Sequence, residues 1–147
     1  MISIFDYNRK VKSQTNALIS SFKDFLLNSE ELVIFLQQQQ LNEGENKKGK
    51  IIGVYSAFTE IITNGRKKAG EPYNFQDTGA FFEGMFIKIQ TSPEFAIIID
   101  SSDSKTKELE EEYPSLLGLN KENTNVLSKQ ITDLFVRFVN KKILSNV

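Results

Sequence analysis

Two β-prone apolar runs lie three residues apart in this chain. Met85, Phe86, Ile87, Lys88, Ile89, Gln90 and Thr91 alternate, residues 95–99 are continuously apolar, and Ser92, Pro93 and Glu94 separate the two. A proline between such runs withholds a ladder donor and marks a turn, so the pair predicts an antiparallel hairpin. A lone hairpin is marginal in water and needs a cover for its apolar face.

Helical periodicity at both ends of the chain supplies that cover. Val11, Thr15, Leu18, Phe22, Phe25 and Leu26 recur at spacings of three and four, which predicts a helix over residues 9–27. Asn28 fits the N-cap of a second helix over residues 29–40, with Glu31 as its capping-box partner. Leu32, Val33, Phe35 and Leu36 are its apolar side, and the glutamine run from Gln37 to Gln40 reads as its polar end. Near the other terminus, Leu127, Ile131, Leu134, Phe135, Phe138 and Ile143 form one stripe behind a capping Asn120. The predicted fold class is α+β: a small antiparallel β-sheet with a central hairpin, packed against N-terminal helices and a long C-terminal amphipathic helix. Its 147 residues suit a single domain, 1–147.

The connecting segments are polar. Residues 41–50 form a loop with Gly44 and Gly49, and Ile51, Ile52, Val54 and Tyr55 read as a short extended stretch. Ser56 fits the cap of a helix bearing Phe58, Ile61 and Ile62, and Gly70, Pro72 and Asn74 mark another loop. A charged helix is predicted from Ser104 to a stop at Pro114, followed by the apolar Leu116, Leu117, Gly118 and Leu119.

Composition removes whole classes of chemistry. With Cys 0 and His 0, there are no disulfides, thiolate nucleophiles, Ser-His triads or imidazole ligands. Eighteen Lys and Arg against nineteen Asp and Glu give a formal charge of -1, where a dedicated nucleic-acid binder shows a basic excess. No apolar run approaches the roughly 20 residues of a membrane span. The first dozen residues lack the basic-then-apolar order of a secretory signal, so a cytoplasmic site of synthesis and residence is expected.

The residues left to carry function are few. Asp100 and Asp103, with Glu108, Glu110, Glu111 and Glu112, could hold a hard cation as in a carboxylate-only nuclease, but their spacing reads better as a strand end and a solvated helix face. Lys47, Lys48 and Lys50, and Arg66, Lys67 and Lys68, place two basic clusters in loops, where partner contacts concentrate. Asp77, Thr78 and Gly79 form a turn motif in which Asp77 or Thr78 caps a short helical turn and Gly79 meets a backbone demand. Phe81, Phe82, Met85 and Phe86 are expected as core anchors. Nothing here calls for a cofactor or a metal.

The order of these segments resembles the small neck and tail-completion proteins of tailed phages. There, a D-T-G motif precedes an apolar residue, a β-hairpin, an L-G-L segment and a C-terminal amphipathic helix; here these are Asp77-Thr78-Gly79, Phe81 and Phe82, residues 85–99, Leu117-Gly118-Leu119 and the helix after Asn120. Upstream, Gly49, Ile52, Tyr55 and Ser56 fit a G-x-x-I-x-x-Y-S stretch, and residues 66–72 fit the basic Gly/Pro loop of that group. The resemblance covers residues 41–144; the charged segment 101–113 departs from the usual pattern. It implies a non-enzymatic virion protein at the head–tail junction, assembled in the host cytoplasm as a homo-oligomeric ring between portal or connector and tail. The expected partners are itself and other neck, tail and portal proteins, with DNA only passing through the ring. The alternative expectation is a small cytoplasmic adaptor or inhibitor encoded by a mobile element.

Overall fold

The structure is a computed structural model that describes residues 3–76 and 79–144. It is an α+β fold; among the described residues it has six helices and one two-stranded antiparallel sheet. The elements run α1 (Ile4–Leu27), α2 (Glu30–Asn42), α3 (Ala57–Ile62), α4 (Ala80–Glu83), β1 (Met85–Gln90), β2 (Ala96–Ser101), α5 (Thr106–Glu112) and α6 (Lys121–Leu144). Among these residues no helix is long and apolar enough to cross a membrane.

The hairpin forms where the two runs predict it. Its register pairs Met85 with Ser101, Ile87 with Ile99 and Ile89 with Ile97. Strand alternation then puts those residues on one face. Ile87 and Ile99 are buried there with Val33 and Leu36 of α2 and Leu127 of α6. A second buried cluster joins Leu41, Phe81, Met85 and Leu116, and Leu117 borders both. The Glu30 carboxylate accepts the Ile87 backbone N–H at 2.9 Å, tying α2 to β1.

Three local readings are corrected. Asn28 does not cap α2: it is the C-cap of α1, its N–H donating to the Asp24 carbonyl. Ser29 takes the α2 cap position, but its hydroxyl donates to the Phe25 carbonyl at 3.2 Å, so no capping box with Glu31 forms. Helix α1 starts earlier than its periodicity predicts, because Ser3 accepts the Asp6 N–H and caps it. The cap position of α4 is Gly79, while Asp77 and Thr78 lie outside the described residues. Ser56 and Asn120 do cap their helices, accepting the N–H groups of Thr59 and Asn123.

The largest correction concerns the glutamine run. Gln37 and Gln40 are fully buried. They continue the helical repeat of Val33, Leu36 and Leu41, and so face the core rather than solvent. Gln37 Oε1 accepts the Gly118 N–H at 2.7 Å, Gln40 Nε2 donates to the Gly118 carbonyl at 2.9 Å, and Asn123 Nδ2 donates to Gln40 Oε1 at 3.2 Å. Gly118 thus has both its backbone N–H and its carbonyl satisfied by side chains from α2, which holds the Leu117-Gly118-Leu119 segment at the core edge without a strand partner. Gly118 has φ +121°, a conformation open to glycine.

Candidate functional site

Two regions of the surface stand out. The first is α1. Its last two turns are held by aromatic contacts: Phe22 lies 5.1 Å from Phe95 and from Phe135, and Phe25 lies 5.5 Å from Phe135 and 5.4 Å from Phe138. Beyond that anchor, every residue from 4 to 20 is exposed. A helix lying on a surface buries one side, so α1 projects as an arm of about 25 Å at 1.5 Å per residue. The stripe that predicts a core helix is nevertheless present on it: Ile4 is 72% exposed and Leu18 63%.

The second region is built around Tyr55. The extended segment 51–55 crosses residues 71–73, with Tyr55 N–H donating to the Glu71 carbonyl and Tyr73 N–H to the Gly53 carbonyl. A side chain at Gly53 would collide with the Tyr73 ring, so the crossing needs glycine there. Tyr55 and Tyr73 rings lie 5.0 Å apart, and Tyr113, after α5, meets Tyr73 at 6.0 Å and Phe75 at 5.5 Å. Phe75 holds φ +54°, a strained conformation for a bulky residue. Burial, reinforced by the neighbouring Glu112, pushes the Tyr113 hydroxyl up to about 12.

These rings floor a cleft of about 400 Å³ between α3 and α5, reached also by Lys67, Asp103 and Glu112. Beside it, α3 presents Phe58 (70% exposed), Ile61 (72%) and Ile62 (61%) on one helical face. Sequence periodicity places these residues on one face, and the fold leaves that face uncovered.

Gly79 lines the cleft, with φ +84° and only ordinary contact, at 3.5 Å, awaiting a Cβ; its requirement is conformational rather than spatial. Lys67 is half-buried, its ammonium 5.3 Å from the Tyr55 ring centroid, while Arg66 and Lys68 are exposed. Lys47, Lys48 and Lys50 are exposed on a separate closed turn, in which Asn46 Oδ1 accepts the Lys48 and Lys50 N–H groups. Lys47 N–H reaches the Ser115 carbonyl at 2.9 Å, fastening that turn to the segment before α6. The two basic clusters therefore have different anchors. Phe81 and Met85 are buried core anchors as expected, and Phe82 and Phe86 are half-buried.

The carboxylates have structural engagements. Asp100 pairs with Lys88 across the hairpin and accepts the Ser101 N–H, and the Lys88 hydrogen bond holds its carboxyl below the ordinary value. Asp103 accepts the Lys105 N–H ahead of α5. Among the described residues, no group of three or more Asp or Glu is arranged to hold a metal ion.

Comparison with protein-family models, with curated proteins and with solved structures finds no match to this chain.

Proposed function

We propose that this protein is a non-catalytic assembly component whose copies join into a ring at the head–tail junction of a tailed phage, between portal or connector and tail. The observation that carries the assembly reading is the α1 arm: an amphipathic helix with its apolar stripe uncovered from residue 4 to residue 20. Helices in proteins draw most of their stability from packing an amphipathic face, so this exposed stripe gains by burial against another molecule. Head-to-tail contacts between identical copies close into rings when the rotation per copy divides a full turn. The phage setting comes from the ordered resemblance between residues 41 and 144.

Deleting the gene from the source phage or induced prophage tests this role. The expected result is filled heads and separate tails that fail to join, with joining restored by the gene supplied in trans. Normal infectious particles from the deletion would overturn the role and favour a cytoplasmic adaptor.

A further inference from the structure

We infer that, in the ring proposed above and resting on that reading, the α1 arm of one copy docks on the α3–α5 face of the next copy. Both faces are apolar and exposed within their own chain, and the charges that flank them are opposite in sign.

The arm offers Ile4, Tyr7, Val11 and Leu18 along one stripe, and all four are exposed. The face offers Phe58, Ile61 and Ile62, all exposed, beside the aromatic cleft. Because both sets are exposed in the same chain, they do not cover each other intramolecularly. The four stripe side chains, with the stems of Lys10 and Lys12, supply part of the roughly 800 Å² per partner that a stable interface buries.

Charge selects this pairing over an arm-to-arm one. The arm carries Arg9, Lys10 and Lys12 against Asp6 alone, and Asp6 is already paired with Arg9 at 2.9 Å. The region from Asp103 to Glu112 carries five carboxylates against Lys105 and Lys107, and although Glu111 pairs with Lys107 at 3.8 Å and Asp103 accepts the Lys105 N–H, carboxylates remain in excess there. Two arms laid side by side would bring Lys10 and Lys12 against their own copies, whereas docking on α5 sets them against carboxylates. Arm-to-face contact is also heterologous, using a different surface on each copy, as ring closure with more than two copies requires.

The test uses the natural absence of cysteine. Full-length Val11→Cys and Ile61→Cys chains, both substituted at exposed positions, are prepared separately. They are treated with a short bismaleimide alone and as an equimolar mixture, and the oligomeric mass of the unmodified chain is measured in parallel. The expected result is a covalent dimer from the mixture at least tenfold above either chain alone, with peptide mapping joining residue 11 to residue 61, and with Leu18→Asp in the arm abolishing it. Dimers from Val11→Cys alone, or no 11-to-61 link in a chain that still forms rings, overturn the docking and leave the ring standing. An 11-to-61 link in a chain whose mass stops at an open dimer supports the docking and overturns ring closure. A chain that stays monomeric and yields no link overturns both.

Discussion

Gln40 Oε1 accepts the backbone N–H of Asn120 at 2.7 Å, across 80 residues of chain. That bond fixes the start of α6 against the end of α2, and Asn120 in turn caps α6 through the Asn123 N–H at 2.8 Å. The helix carrying Leu127 into the core therefore takes its position from a glutamine. Removing the Gln40 amide orphans the Asn120 N–H and the Gly118 carbonyl and opens a cavity. Gln40→Ala should cost about 3–5 kcal/mol in urea unfolding. Gln39→Ala, on the exposed side of the same helix, should stay within about 0.5 kcal/mol.

Gly79 adopts φ +84° at the start of α4, which places Phe81 in the core. A β-branched residue resists that conformation. Gly79→Val should lose about 1–3 kcal/mol, and Gly79→Asn less, since asparagine tolerates the left-handed region. Equal melting curves for Gly79→Val and the parent would contradict this.

Phe135 joins the arm anchor to α6 through Phe22 and Phe25. It is half-buried, so its truncation should cost less than that of a fully buried ring. Phe135→Ala is expected to lose about 2–3 kcal/mol. Hydrogen exchange should show the loss of protection concentrated in α1.

Tyr113 sets an alkaline limit. Its folded value, raised to about 12, means that the folded state favours the neutral phenol. The stabilisation is fully present below the unfolded value of about 10 and is lost as pH rises through about 12. In Tyr113→Phe, the component of tyrosinate absorbance with a midpoint near 12 should disappear, and stability should fall less steeply between pH 10 and 12. An unchanged absorbance titration would place the shift elsewhere.

The hairpin is legible in the sequence because strand alternation and a separating proline are local signals. The stripe of α6 is legible for the same reason, through Leu127 and Ile131. Burial of Gln37 and Gln40 is not, since an amide carries no mark of its environment and its partners lie about 80 residues away. Their phase with Val33, Leu36 and Leu41 is the one signal that identifies them. The arm is hidden by the opposite ambiguity: Val11 and Leu18 have the spacing of a core helix, and only tertiary structure shows that nothing covers them. The aromatic cleft is assembled from Tyr55, Tyr73, Phe75 and Tyr113, scattered over three segments with no shared motif.

Peptide mass spectrometry of purified particles, with copy number scaled to the major capsid protein, tests the central claim most directly. A ring at the head–tail junction predicts a stable signal of about six to twelve copies per particle. Absence of the chain from intact particles would contradict the account.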